Sequence, residues 1–281
     1  LRLAIDTARR QTLADWELLV IGDACTDDTA AVVNACGDGR IRFTNLPQNH
    51  GEQSGPNNAG VAMAAGRYIA FLNHDDLWFP DHLATLVEAL ERTGADLAYT
   101  MSARVDAHDR VHLWGNAPAG RYEPWHPVPA SVWLFRRELA GAVGPWTSAF
   151  TLFDAPSQDW LRRAAGSGAR LLPVQVLTAV QITSGNRRGS YSDRHVSEHA
   201  VMAARMQDDP AACREQLLTA IALGSSPLNT YTRPLTLARR AVQALVARVC
   251  VQIGVPPVVC FNLLRYRRRG GFITTLRRNR G

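Results

Sequence analysis

The chain contains no lysine: all 31 of its basic side chains are arginine. That excludes Schiff-base chemistry and phosphate binding by a P-loop lysine. Cysteine is sparse and scattered. Cys25, Cys36, Cys213, Cys250 and Cys260 show no CxxC pair and no Cys/His ligand spacing, so neither a disulfide framework nor a zinc site is expected, and a reducing compartment is the simpler setting. Long uncharged apolar runs are missing too. The best candidate, toward the C-terminus, is broken by Arg248, Gln252 and the pair Pro256-Pro257, which argues against a membrane-spanning helix. The start at Leu1 lacks a charged segment followed by an apolar run, so no signal peptide is expected. There is no internal repeat. Acidic residues stop at Glu215.

What is present suits a folded protein. With 281 residues, 46% of them hydrophobic, the chain can bury a large core as one domain or one domain plus an appendage. The net charge of +6 is uneven. Eleven arginines lie between Arg233 and Arg280, leaving 20 arginines against all 25 acidic residues up to Glu215. The basic character therefore belongs to the tail, which suits a helix lying on an anionic membrane surface or a helical layer with a solvated basic face. The arginines are not interleaved with stacking aromatics, so nucleic acid is not an expected partner.

The first half alternates strand and helix signals. The run at 15–23 reads as a strand ending in Gly22 and Asp23, and 26–36 as a helix capped by Thr26 or Asp27. A second strand is expected at 40–47, then a helix at 54–66 with Pro56 in its first turn and Gly66 as its stop. A short apolar strand at 68–72 follows, then a helix over 80–92 and a strand at 97–104. Beyond these, 128–146 gives a strand and a short helix, and a helix over 158–165 is expected with Ser157 as its cap. This alternation predicts an α/β fold with a mostly parallel sheet, whose ligands bind outside the carboxyl ends of the strands. Residues 1–200 are expected to form this domain, and 201–281 a helical, arginine-rich extension.

Carboxylates stand at two such strand ends: Asp23, and the pair Asp75-Asp76 in "FLNHDD". Adjacent carboxylates raise each other's pKa unless a cation lies between them. Mg²⁺ or Mn²⁺ supplies that cation and brings phosphate oxygens with it. The alternative is that the pair caps the helix starting near Pro80. Asp159 similarly reads either as a carboxylate satisfying a helix N-terminus or as a working group. In the polar segment 184–199, Arg187 and Arg188 suit either a diphosphate-closing loop or a solvated one.

The segments "RQTLADWELLVIGDACTDDT", "NHGEQSGPNNAGVAMAAGRYIAFLNHDDLWFPDHL" and "PASVWLFRRELAGAVGPW" followed by "SQDWLRRA" together resemble glycosyltransferase family 2, with the GT-A (Rossmann-like nucleotide-diphospho-sugar transferase) fold. The likeness implies sugar transfer from a nucleotide-diphosphate donor to a glycan, lipid-linked or small-molecule acceptor, usually inverting and metal-dependent, with a usual first strand upstream of Leu1. It implies a hexosyltransferase-type enzyme (EC 2.4) of polysaccharide biosynthesis; the cysteine usage and the basic tail add the expectation of a cytoplasmic protein that can sit peripherally on the membrane's inner face. By resemblance, Asp159 is the catalytic base. Asp23, Asn58, Asn73, Asp75, Asp76, Arg187 and Arg188 meet the donor, and Asp75 and Asp76 the metal. Gly22, Asn57 and Asn73 depart from the family's common Asp, Arg and Asp, which leaves open a non-catalytic relative that binds a nucleotide sugar or glycan.

Overall fold

The structure, a computed structural model, describes residues 1–106, 109–182, 196–224, 242, 245–250, 252–255, 257, 259 and 260. Helix α1 (Arg2–Arg9) leads into β1 (Leu18–Gly22), α2 (Thr29–Asn34) and β2 (Ile41–Asn45). β1 and β2 pair in parallel, Leu18 opposite Ile41, as a two-stranded sheet. Next come α3 (Ser54–Met63), β3 (Tyr68–Ala70), β4 (Asp76–Trp78), α4 (His82–Thr93), β5 (Leu97–Val105) and β6 (Val111–Trp114). The remaining elements are β7 (Trp133–Arg136), α5 (Glu138–Val143), α6 (Pro156–Gly166), β8 (Leu171–Ile182), α7 (Val196–Asp208) and α8 (Pro210–Gly224).

The second sheet has the order β3-β7-β5-β8-β4, with β6 on β5. Its α/β character follows the sequence reading, but its pairings differ from a mostly parallel sheet. Only β5–β8 is parallel; β3–β7, β5–β7, β4–β8 and β5–β6 are antiparallel. The reason is insertion: β3 and β5 run the same way, and β7 enters between them in the opposite sense.

Local chemistry explains the element ends. In α4, Leu83, Leu86, Ala89 and Leu90 share one buried face, and Gly94 at φ +68° closes the helix with its N–H on the Leu90 carbonyl at 2.9 Å. A Cβ there is strained, so glycine fits that stop. At α2 the Asp27 carboxylate accepts the Thr29 N–H at 3.1 Å. The expected Ser157 cap is corrected: α6 starts at Pro156, whose missing N–H needs no partner, and Ser157 lies buried in the first turn.

Two cores flank the sheet, and β4 divides between them by its period of two. Trp78 joins the cluster with α4, α6 and β7, while Leu77 and Phe79 join Met202, Met206, Cys213 and Leu217 of α7 and α8. A boundary at residue 200 therefore falls inside α7, and α7 and α8 complete a core rather than extend from one. In the first cluster, Phe71, Trp133, Phe135, Trp146 and Trp160 stack or meet edge-on at centroid distances from 4.9 to 6.4 Å.

A buried polar chain crosses this core. His82 Nδ1 meets Thr178 Oγ1 at 2.7 Å, Thr178 Oγ1 meets Thr100 Oγ1 at 2.6 Å, and Thr100 Oγ1 reaches the Val132 carbonyl at 3.4 Å. The carbonyl can only accept, so donation runs from His82 Nδ1–H to Thr178, to Thr100, to Val132. Burial holds the His82 imidazole down at about 3. Below pH 6.5 the unfolded chain takes up a proton that the folded chain refuses, so this group's contribution to stability falls as pH drops from 6.5 toward 3. The slope is about 1.4 kcal/mol per pH unit. Urea unfolding of the wild type and His82→Gln between pH 4 and 8 is expected to show that acid slope flattened in the variant. An unchanged slope refutes the assignment.

Candidate functional site

A cleft of about 1290 Å³ runs between β1 and β3. Every residue of both strands lines it, which requires the strands to face it edge-on. Neither edge has a strand partner among the described residues, since β1 pairs only with β2 and β3 only with β7. The cleft floor is aliphatic. Its polar mouth lies at the carboxyl ends of the strands, where Asp23, Gln53, Asn57, Asn73, His74 and Asp75 gather.

Asp23 follows β1 directly, and its carboxylate organises the loop after β2. Oδ1 accepts the His50 N–H at 2.8 Å and lies 3.0 Å from His50 Nδ1; Oδ2 accepts the Gly51 N–H at 2.9 Å. Asn49 Nδ2 donates to the Asp23 carbonyl at 2.8 Å. Asp23 thus shapes the rim through residues 49–51.

The acidic pair is divided. Asp75 lines the cleft, whereas Asp76 is 3% exposed and faces the interior. Ser131 Oγ donates to Asp76 Oδ2 at 2.5 Å, Asn73 Nδ2 to the same oxygen at 2.9 Å, and Gln181 Nε2 at 3.2 Å from the neighbouring strand β8. Burial first, and then the adjacent Asp75 charge, push the Asp76 carboxyl up to about 7 against these donors. Both carboxylates were expected to meet one cation or the donor; here Asp75 lies in the turn that lines the cleft, while Asp76 opens β4 and turns its oxygens to Ser131, Asn73 and Gln181. Asn73 lines the cleft mouth and also contacts Asp76. Its amide N–H₂ points at Asp76, where an aspartate would set a second carboxylate against a buried one. The departure from the common acidic pattern is thereby explained as complementarity to Asp76.

Asn58, expected to meet the donor, is engaged with Trp146 and does not line the cleft. Its Nδ2 donates to the Trp146 carbonyl at 3.1 Å and its Oδ1 accepts the Trp146 N–H at 2.8 Å, clasping α3 to the turn before α6. The cleft is lined instead by Asn57, about 100° away around the helix.

Asp159, in the first turn of α6, is held by Thr147 Oγ1 at 3.0 Å and Arg163 Nε at 2.9 Å. Both contacts use Oδ2, and Oδ1 has no such contact among the described residues. Asp159 does not line the cleft. It connects to it through residues 146–147, because Ser54 Oγ donates to the Thr147 carbonyl at 2.8 Å, and through Trp160, which packs with Phe135 and Trp133 beside Phe71 at the end of β3. Arg187 and Arg188 lie outside the described residues.

Helix α7 adds Glu198 and His199 to the cleft wall, with His199 Nε2 3.1 Å from the Asp75 carbonyl. Sequence reasoning missed both. The only local signal was a polar run placing a carboxylate beside an imidazole. Among the described residues no group of three or more His, Cys, Asp or Glu side chains forms a ready metal cage. Asp75 offers one hard oxygen donor facing the cleft, which fits Mg²⁺ or Mn²⁺ when the other ligands are phosphate oxygens and water.

Comparison with known proteins agrees with this layout. The profile of Glycosyl transferase family 2 matches residues 1–140. The chain is similar to the succinoglycan biosynthesis protein ExoO of Rhizobium meliloti (strain 1021), 38% identical over 114 residues, or 41% of this chain and 31% of that protein. It is also similar to the UDP-Glc:alpha-D-GlcNAc-diphosphoundecaprenol beta-1,3-glucosyltransferase WfgD of Escherichia coli, 32% identical over 96 residues, or 34% of this chain and 38% of that protein. The chain spans about a third of the length of these curated relatives. Among solved structures, S. aureus TarS 1-349 in complex with UDP-GlcNAc matches with a TM-score of 0.55 at 16% identity, over 97% of this chain and 84% of that one. The mannosyltransferase PcManGT of Pyrobaculum calidifontis, in complex with GDP-Man and Mn²⁺, matches with a TM-score of 0.54 at 16% identity, over 95% and 82%. At such identities the likeness is one of fold.

Proposed function

Residues 1–140 belong to glycosyl transferase family 2 and the chain has the GT-A fold, and from this premise we propose that the protein transfers a sugar, with inversion, from a nucleotide-diphosphate donor to an acceptor hydroxyl. The observation that supports this reading is the presence of Asp23, directly after β1, and Asp75, in the turn between β3 and β4, at one cleft mouth. The donor's diphosphate lies against the Asp75 turn and its nucleoside against the rim that Asp23 shapes. Asp159 takes the acceptor's proton through Oδ1 while Thr147 and Arg163 fix its other oxygen. Inversion needs one displacement and no covalent enzyme intermediate, which agrees with the lack of an evident activated nucleophile among the described residues.

Asp75 would hold Mg²⁺ or Mn²⁺ together with the donor, and the cation would neutralise charge on the leaving diphosphate. Asp76, Ser131 and Gln181 hold the turn that presents Asp75. Hexosyl transfer to a glycan or lipid-linked acceptor in polysaccharide biosynthesis, at the cytoplasmic face of a membrane, is the finer form of the proposal. It is supported by ExoO, a succinoglycan biosynthesis protein, and by WfgD, a glucosyltransferase acting on a diphosphoundecaprenol-linked sugar.

The test is donor hydrolysis and transfer across UDP-, GDP- and dTDP-sugars with Mn²⁺, comparing wild type with Asp75→Asn. One donor is expected to turn over, and the variant to lose about 100-fold. This is the scale of removing a group that stabilises developing charge. Turnover unaffected by Asp75→Asn refutes the site. Tight nucleotide binding without turnover of any donor favours instead a binding protein, the reading that Asn73 and the engaged Asp23 carboxylate support.

A further inference from the structure

Among the described residues, one partly buried arginine ends on no oxygen. Arg136, Arg162, Arg163 and Arg214, the others of that exposure, each reach a carboxylate or a carbonyl. Arg104, on β5, has neither a hydrogen bond nor an ion pair among these residues. Its guanidinium carbon lies 4.3 Å from the centre of the Trp114 ring on β6, a contact that holds the guanidinium plane and uses none of its N–H donors. Arg104 stands opposite Gln181 of β8, and Gln181 opposite Asp76 of β4, so the three side chains share one face of the sheet. The row beside them, Ala103, Val180 and Leu77, points the other way, into the core with α7 and α8. Because β3 and β5 both run antiparallel to β7, and β8 runs parallel to β5, the row of Arg104 lies at the same carboxyl edge as the Asp75 turn.

The carboxylates whose charge reaches Arg104 are committed to other donors. Asp76 accepts from Ser131, Asn73 and Gln181, and Asp106 meets Arg110 Nε at 2.9 Å and His112 Nε2 at 3.1 Å. Burial pulls the Arg104 pKa down, and the charges of Asp76 and Asp106 oppose that pull, so the guanidinium stays charged. We propose that Arg104, held flat on Trp114 beside Gln181, binds a phosphate group of a substrate at this edge of the sheet. The planar fork pairs with two phosphate oxygens at once, and Trp114 fixes the fork before the ligand arrives. That the anion is a phosphate rests on the proposed sugar transfer, whose donor carries a diphosphate and whose lipid-linked acceptor would carry another. Both present the same oxygens to Arg104.

The test treats the whole chain with phenylglyoxal, which modifies guanidinium groups, and reads each arginine separately by peptide mass spectrometry. Inorganic pyrophosphate without metal is the probe, so the Asp75 site, which needs a cation, takes no part. Pyrophosphate is expected to slow modification of Arg104 about fivefold, its N–H groups being paired with phosphate oxygens, and to leave the exposed Arg10 and Arg121 unchanged. Equal protection by whichever of UDP and GDP binds with Mn²⁺ would support the site and assign its phosphate to the donor. Protection by pyrophosphate, but not by a nucleotide that calorimetry shows to be bound, would support it and assign the phosphate to the acceptor. Modification of Arg104 at the same rate with and without pyrophosphate, or slowed only as much as at Arg10 and Arg121, overturns the proposal. The readout needs no turnover, so its failure is distinct from a failure of the Asp75→Asn test.

Discussion

Asp159→Asn is expected to lower transfer between 10²- and 10⁴-fold while leaving nucleotide binding unchanged. General base catalysis by a positioned side chain contributes about that range, and an amide cannot take the acceptor's proton. The variant separates chemistry from folding. Asn keeps an oxygen for the Thr147 hydroxyl, and Arg163 keeps its bonds to the Val143 and Pro145 carbonyls at 2.7 Å each. The lost Asp159–Arg163 ion pair is partly exposed, a class worth at most about 1 kcal/mol. Calorimetric titration with the donor's nucleotide should match the wild type, and single-turnover transfer should not. Full transfer by the variant would remove Asp159 from the proposed mechanism.

Trp160→Ala is expected to destabilise the fold by about 3–5 kcal/mol, the usual cost of deleting a buried large aromatic. Trp160 is 1% exposed, stacks on Trp133 at 5.1 Å and meets Phe135 at 4.9 Å. Its Nε1–H donates to the Gly144 carbonyl at 3.1 Å. The void would open beneath α6, beside Asp159, and next to the aromatic contacts that seat Phe71 at the end of β3. Denaturant unfolding should show the loss, and Trp160→Phe should recover most of it, since the ring returns without the N–H. A cost under about 1 kcal/mol would mean that the aromatic cluster is not the support of the site.

The strand ends were legible because short apolar runs that stop at polar residues announce themselves: β1 at Asp23 and β3 before Asn73 and Asp75. What the residues do there was less legible. Asp75 and Asp76 look equivalent as letters, yet the turn leaves Asp75 at the cleft while Asp76, the first residue of β4, faces Ser131 and Gln181. Asn57 and Asn58 are likewise neighbours about 100° apart on a helix, and sequence alone chose the one that faces Trp146. The pairing of β7 between β3 and β5, and the approach of His199 to Asp75, depend on contacts between residues far apart in the chain, which local periodicity does not encode. The short elements α1, β4 and β6 escaped for a related reason. Packing, rather than propensity, holds them.

The division of the strands between two sheets carries a consequence for the spacing of the site. β1 belongs to one sheet and β3 to the other, and Asp23 and Asp75 reach the same cleft from these two sides. A substitution that tilts one sheet against the other therefore alters the distance from the Asp23 rim to the Asp75 turn while leaving both strands themselves unchanged.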